Sequence, residues 1–221
     1  MATLSAMKKI HKVILAVIGI SISVGLGVYT ASHNTSGRDI HQQLKHATYL
    51  YDQHKAIADY ILTDHNNNTF TPNSIKGIWT FWFFGFTHCP DICPVTLGTL
   101  SAVVNRIKSE HNNIKQDIKI VFVSVDPERD STVKLKAYVT SFSDDAIGVT
   151  ATDEQLAAFL KNMGVIATRL PAQNNSSEYL VNHSSSIFLI APDTGISAVF
   201  SAPHNVEEIT QDFLTIQKSY R

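Results

Sequence analysis

The feature that most constrains the fold is an apolar run that ends at a pair of cysteines. Residues 78–84 carry no charge, are mostly aromatic, and predict a strand buried on both faces. A Gly-Phe-Thr turn follows, and then come Cys89 and Cys93, the two cysteines of the 221-residue sequence. Pro94 suits the first turn of a helix, because its missing N–H costs nothing there. The run therefore predicts a strand–turn–helix unit with two thiols at the turn.

Strands and helices continue to alternate after this unit. Apolar residues at helical spacing follow Pro94, and the later elements are predicted as a strand at 118–125, a helix at 127–142, a strand at 146–149, a helix at 152–163, a hairpin at 186–201 and a helix at 205–219. This order predicts an α/β layer fold. Thiols between a buried strand and the next helix narrow it to a thioredoxin-like arrangement, a central mixed sheet flanked by helices.

The N-terminal segment 13–30 is apolar, uncharged and preceded by lysines. Its helical length just matches a hydrocarbon core, and flanking lysines place the N-terminus in the cytoplasm. We predict a basic cytoplasmic N-terminus at 1–12, a transmembrane anchor at 13–30, a linker at 31–54, and a folded domain at 55–221. That domain then lies on the non-cytoplasmic side, which in a bacterium is the periplasmic face of the inner membrane. A cleaved signal peptide is the alternative. The formal charge of −1 and the lack of a basic stripe argue against a nucleic-acid partner.

The spacing of Cys89 and Cys93 indicates redox or soft-metal chemistry. Two cysteines in an exported domain are by default a structural disulfide, but a bridge over so few residues adds little stability. Residues i and i+4 lie on one face of a helix, so both sulfurs could approach one ion, or each other when oxidised. The N-terminus of a helix also offers N–H groups without partners, which favour the thiolate form of a cysteine.

Three motifs resemble those of the Sco/SenC family of membrane-anchored copper chaperones. They are FGFTHCPDICP from Phe84, VFVSVDPERD from Val121 and VNHSSSIFL from Val181. The order and spacing of these motifs agree with the family pattern from about residue 55 to the C-terminus. The resemblance implies a thioredoxin-like fold in which Cys89, Cys93 and His183 bind one copper ion.

The resemblance also implies how this copper site works. Soft thiolates select Cu(I), and an added imidazole makes a site that tolerates Cu(II) as well. Cys89 and Cys93 form a redox-active disulfide when oxidised. Asp91, between the thiols, is associated with the site and organises the loop without being a ligand. Asn182 stands where the family has aspartate, which alters the support of the metal but leaves His183 in place.

Other polar residues receive structural interpretations. Asp126, Glu128 and Arg129 are predicted to cap and begin a helix. His88 adjoins Cys89 but is expected to point to another side. Several histidines are interpreted as solvent-exposed linker residues rather than a metal-collecting tract: His33, His41, His46, His54 and His65.

The function implied by the resemblance is copper delivery to the dinuclear copper site of cytochrome c oxidase subunit II during oxidase assembly. Another copper chaperone is the candidate donor. The alternative is a thiol–disulfide oxidoreductase that reduces the cysteines of that site, with Cys89 as the attacking thiolate. A peroxiredoxin-like peroxidase shares the broad fold and is less favoured. His183 favours metal binding, because a simple dithiol reductase has no need of it.

Overall fold

The structure is a computed structural model that describes residues 2–34, 36–50, 55–110, 114–170 and 180–220. The chain divides into two compact units, Met1–Gln42 and Gln43–Arg221. The first unit contains helix α1 (Ala2–Asn34) and most of helix α2 (Ser36–Gln43). Within the described part of the chain, no helix has the length and apolarity needed to cross a membrane.

The second unit is built on a mixed sheet. Its strands are β1 (Ala47–Tyr49), β2 (Lys55–Ala56), β3 (Leu62–Asp64), β4 (Thr69–Phe70), β5 (Trp79–Gly85), β6 (Ile118–Ser124), β7 (Ala146–Thr150), β10 (Ile187–Ile190) and β11 (Gly195–Phe200). The order across the sheet is β1-β11-β10-β5-β6-β7-β3-β4, and β2 also pairs with β11. Strands β5, β6 and β7 run parallel, and β10 pairs antiparallel with β5. Strands β8 (Ala167–Leu170) and β9 (Leu180–His183) form a separate antiparallel pair.

Strand β5 forms the centre of the core because it is buried along its whole length. The helices of this unit are α3 (Ile92–Glu110), α4 (Thr132–Thr140), α5 (Asp153–Met163) and α6 (Val206–Ser219). Phe81 contacts Phe213 of α6, with ring centroids 5.5 Å apart. On the opposite face Trp82 contacts Phe159 of α5 at 5.8 Å. Side chains alternate across a strand, so β5 supplies apolar surface to both helical layers. The predicted layered α/β architecture is confirmed.

The predicted linker at 31–54 contains a strand of the sheet, which corrects that boundary. Ala47 pairs with Phe200, and β1 lies at the edge of the sheet beside β11. The buried carboxylate of Asp212 accepts the backbone N–H groups of Lys45, His46 and Ala47 at 2.8, 2.8 and 2.7 Å. This carboxylate from α6 holds the segment that leads into β1, a contact that local sequence does not reveal.

The helix predicted to begin at Asp126 begins later. Ser131 is its N-cap and accepts the N–H of Lys134, while residues 127–129 form a turn. The Asp126 carboxylate accepts a hydrogen bond from the Arg129 side chain within this turn. The mostly apolar residues 57–62 favour a strand by composition, but β3 begins only at Leu62.

The histidines predicted to be exposed linker residues have different surroundings. His41 is exposed, as expected. His46 is largely buried and stacks on Phe200 at 6.4 Å. His65 accepts the N–H of Gly148 at 3.0 Å, and burial lowers its pKa. The expectation of exposed linker histidines is therefore wrong for His46 and His65. The side chain of His33 and the whole of His54 lie outside the described structure.

Candidate metal centre

The two cysteines follow the end of the central strand. The carbonyl of Gly85 accepts the N–H of Val125 at 2.8 Å, which ties the end of β5 to the end of β6. The chain then turns, with the N–H of Cys89 donated to the carbonyl of Phe86 at 3.2 Å. Helix α3 begins at Ile92, so Cys93 lies in its first turn and Cys89 precedes it. The helical i, i+4 geometry expected for the pair is corrected, because the turn at Phe86–Cys89 and Pro90 delays the helix.

The sulfur of Cys89 nevertheless faces the start of α3. The N–H of Cys93 is donated to Cys89 Sγ at 3.5 Å. The first N–H groups of a helix have no partner within the helix, so this sulfur takes the position of a capping acceptor. Cys93 is fully buried and Cys89 is partly exposed. The turn thus brings both thiols to one helix terminus with unequal access to solvent.

A glycine makes room for the buried thiol. A Cβ atom at Gly85 would lie 2.6 Å from Cys93 Sγ and 2.8 Å from Phe122 Cε2. Contacts this short do not occur between ordinary heavy atoms, which approach to about 3.5–4.0 Å. The sulfur of Cys93 therefore packs directly against the backbone of β5 at a position that requires glycine.

Burial sets the protonation state of Cys93. It raises the pKa of the Cys93 thiol, and the hydrogen bond shared with Cys89 raises it further. The desolvated thiolate is disfavoured, so Cys93 carries its proton at neutral pH. A metal ion that binds this sulfur must displace that proton.

Asp130 organises the turn before the cysteines, a role that sequence reasoning missed. Its carboxylate is fully buried and accepts hydrogen bonds from the N–H of Thr87 at 2.9 Å, the hydroxyl of Thr87 at 2.5 Å and the hydroxyl of Ser124 at 2.7 Å. His88 Nδ1 lies 3.7 Å from Asp130 Oδ1. His88 is thus directed at Asp130, in keeping with the expectation that it points away from the thiols. The one signal was that Asp130 ends the VFVSVDPERD motif.

Arg129 contacts the same turn through the ring of Phe86. The guanidinium carbon of Arg129 lies 5.5 Å from the ring centroid of Phe86, and the Arg129 side chain also donates to Asp126. Phe86 is almost fully buried. Arg129 therefore links Phe86, which begins the cysteine turn, to Asp126. Asp91 has an exposed side chain, and its carbonyl accepts the N–H of Val95 at 3.4 Å, which places it at the start of α3.

The backbone of His183 lies at the end of β9, where it pairs with Ala167. The side chains of Asn182 and His183 lie outside what the structure describes. The chain reaches Ile187 four residues later, and Ile187 pairs with Phe83 near the end of β5. Four residues span at most about 14 Å, so His183 lies near the end of the sheet at which β5 leads into the cysteine turn. Among the side chains that are described, which do not include His183, no three His, Cys, Asp or Glu residues are grouped to hold a metal ion.

Comparisons with known proteins agree with this architecture. A model of the SCO1/SenC family matches residues 48–218. The mitochondrial SCO1 homolog 1 of Arabidopsis thaliana is 34% identical over 151 residues, 68% of this chain and 44% of that protein. The SCO2-like protein of Rickettsia felis is 32% identical over 185 residues, 83% of this chain and 87% of that protein. This chain therefore spans less than half the length of the Arabidopsis relative.

A solved structure shares the fold and contains a metal. The crystal structure of Arabidopsis thaliana ScoI with copper bound superposes with a TM-score of 0.69 and 32% sequence identity, covering 75% of this chain and 100% of that one. The thioredoxin-like α/β fold expected from the sequence is confirmed by this similarity.

Proposed function

We propose a function from one premise: the chain belongs to the SCO1/SenC family. On that premise it binds copper and serves as a metallochaperone in the assembly of cytochrome c oxidase. The observation that carries the proposal is the approach of the two thiols at the start of α3, where Cys93 donates its N–H to Cys89 Sγ at 3.5 Å. The copper in the Arabidopsis structure supports copper as the metal.

The ligands in this proposal are Cys89, Cys93 and His183. Two thiolates select a soft ion such as Cu(I), and an imidazole adds a donor that Cu(II) also accepts. Asp130 fixes the turn that carries Cys89 through its bonds to Thr87. Asp91 is proposed as a loop residue at the site rather than a ligand.

The proposed acceptor is the dinuclear copper site of cytochrome c oxidase subunit II, and another copper chaperone is the proposed donor. Transfer proceeds by ligand exchange, in which an incoming thiolate bonds to copper before an outgoing ligand leaves. The partly exposed Cys89 supports this, because copper at its sulfur lies where a partner's thiolate can reach it.

Titration of the reduced chain with Cu(I) tests the proposal. In competition with a Cu(I) chelator, the wild-type chain is expected to hold copper at the dithiol site, and Cys89→Ser, Cys93→Ser and His183→Ala are each expected to weaken it. His41→Ala, which removes an exposed histidine, is the matched control for His183→Ala and is expected to leave that binding unchanged. Equal copper affinity in the wild type and the Cys93→Ser variant would contradict the proposal.

A thiol–disulfide oxidoreductase is the second candidate, and the exposure of Cys89 favours it. In this reaction the Cys89 thiolate attacks a disulfide of the target, forming a mixed disulfide and releasing one target thiolate. The Cys93 sulfur, once deprotonated, then displaces the second target thiolate and forms the Cys89–Cys93 disulfide. His183→Ala should spare this exchange while weakening copper binding. Loss of exchange with copper binding retained would favour the oxidoreductase over the chaperone.

Membrane attachment through segment 13–30 is a separate part of the proposal. It is supported by the uncharged apolar run behind a lysine-rich N-terminus. After alkaline extraction the full chain should stay in the membrane fraction, and the double variant Ile18→Lys/Ile22→Lys should be released. Ile61→Lys, which replaces an exposed isoleucine of the second unit, is the matched control. Extraction of the unaltered chain into the soluble fraction would contradict the anchor.

A further inference from the structure

Two histidines meet at the edge of the sheet where β11 ends and β1 begins. His46 directly precedes β1, and His204 follows β11, whose last residue pairs with Ala47. The two ring centroids are 6.3 Å apart and the rings are perpendicular. We refer to His46 and His204 as the histidine pair.

Each ring of the pair has one nitrogen that faces an acceptor. His204 Nε2 lies 2.7 Å from the carbonyl oxygen of Ser185. A carbonyl only accepts, so Nε2 carries the proton and Nδ1 of a neutral ring keeps its lone pair. His46 Nδ1 lies 3.8 Å from Glu208 Oε2, and a carboxylate at that position favours the proton on Nδ1 and the lone pair on Nε2.

The two remaining nitrogens, His46 Nε2 and His204 Nδ1, are buried and have no hydrogen-bond partner. Buried polar atoms of native proteins are nearly always satisfied, so each exception requires an explanation. Burial also lowers the pKa of His204, which keeps its ring neutral and its lone pair available.

The surroundings of His204 match those of histidines that bind metals, and at His46 a carboxylate lies near the corresponding nitrogen at the longer distance of 3.8 Å. Such histidines donate the second ring N–H to a backbone carbonyl or a carboxylate, which fixes the tautomer. A metal–nitrogen distance of about 2.0 Å and a ring radius of about 1.1 Å place a bound ion about 3.1 Å from each centroid. The separation of 6.3 Å between the centroids is about twice that distance, so the spacing of the rings leaves room for one ion between them.

We propose that the histidine pair is an accessory copper site that binds one Cu(I) ion in two-coordinate geometry. Cu(I) accepts two nearly linear imidazole donors, whereas Zn²⁺ requires four ligands. The structure offers two donors here, and the described side chains contain no three-residue metal cluster. The site goes beyond the proposed dithiol site, although it lies at the same edge of the sheet: Ser185, which orients His204, follows His183 by two residues.

The backbone around the pair is already held in place. Asp212 accepts the N–H of His46 together with those of its two neighbours. His46 also stacks on Phe200. Copper binding therefore requires little reorganisation of His46, which favours affinity because less conformational entropy is lost.

Copper stoichiometry tests the accessory site in the full-length reduced chain. With Cu(I) supplied from a chelator, the wild type should bind two equivalents and the Cys89→Ser/Cys93→Ser variant one. Adding His46→Ala or His204→Ala to that double variant should abolish the remaining equivalent of Cu(I), and adding the control His41→Ala should leave it bound. Glu208→Gln should weaken it by about tenfold, the lower end of the effect of residues that orient a ligand. If the wild-type chain bound Cu(I) at the histidine pair but not at the cysteines, that result would contradict the proposed function and support the accessory site.

The imidazole nitrogens of the wild-type chain provide a readout that does not depend on a variant folding. Cu(I) is diamagnetic, so nitrogen-15 NMR can follow both rings. The signals of His46 Nε2 and His204 Nδ1 should shift on addition of the second equivalent, while His204 Nε2 stays protonated. Unshifted signals at two equivalents would overturn the proposal, and so would Zn²⁺ displacing Cu(I) from the pair in direct competition.

Discussion

Replacing Gly85 by alanine should damage copper binding and stability together, since Gly85 is where the strand touches the buried thiol. The added Cβ would lie 2.6 Å from Cys93 Sγ and 2.8 Å from Phe122 Cε2. Ordinary contacts begin at about 3.5 Å, so the sulfur and the ring must each retreat by roughly 1 Å. Both sit in a fully buried layer with little room to move.

The expected cost follows from overpacking of a dense core. Added methylene groups in such cores destabilise by about 1–3 kcal/mol. A loss of 2 kcal/mol lowers Tm by about 4–8 °C in a domain of this size. A sulfur displaced by about 1 Å would also leave its proposed ligand position, because metal–ligand distances tolerate only about 0.2 Å. We therefore expect Gly85→Ala to weaken Cu(I) binding in chelator competition as well as to lower the free energy of unfolding in urea.

A second strand glycine separates the two effects. A Cβ at Gly148 would lie 3.1 Å from Leu135 Cβ and 3.3 Å from Val139 Cγ1, away from the thiols. Gly148→Ala should therefore lower stability while leaving copper affinity unchanged. In a double-mutant cycle, Gly85→Ala should cost less in a Cys93→Ala background, because the sulfur is gone. Copper affinity in Gly85→Ala equal to that of the wild type would refute the reasoning.

Three other perturbations test the site and its supports. Apparent Cu(I) affinity should rise at least about tenfold per pH unit between pH 6 and 8, because the raised pKa of Cys93 makes copper displace that proton and each further ligand proton displaced steepens the rise; a pH-independent Kd would contradict this. Asp130→Asn should lower the free energy of unfolding by about 2–3 kcal/mol, since a donor replaces one of the acceptor oxygens, while the exposed Asp144→Asn control stays within about 0.5 kcal/mol. Asp212→Asn should destabilise by a similar amount and speed hydrogen exchange at residues 45–47, and unchanged exchange there would count against its role in holding β1.

The predictable parts of the fold are those whose signals are local. Strand β5 lies within one residue of its predicted limits, because the apolar run is uninterrupted and a turn ends it. Helix α5 matches the predicted helix at 152–163 to within one residue, since a capping box of Thr152 and Gln155 begins it and Gly164, with φ 72°, ends it. Such signals act within one turn of helix, so a single sequence is enough to locate them.

The parts that sequence reasoning missed depend on partners far apart in the chain. Strand β1 has three residues and acquires its place from Asp212 and from β11. Asp130 meets Thr87 only because β5 and β6 pair in parallel with Gly85 opposite Ser124. Residue spacing could not show either contact, since both require the sheet order. The cysteine pair, by contrast, was located by local sequence, and only its expected helical geometry was wrong.

The unequal surroundings of the two thiols suggest an order of events in copper transfer. The sulfur of Cys93 is buried against Gly85, and the raised pKa of this thiol means that it keeps its proton until a metal displaces it. Cys89 is partly exposed and already accepts an N–H from that turn. At the proposed copper site an incoming ion would therefore meet Cys89 first and would bind Cys93 only as the proton of that thiol leaves. In the proposed transfer, Cys89 would be the last protein sulfur to hold copper, because it is the partly exposed sulfur that a partner's thiolate can reach.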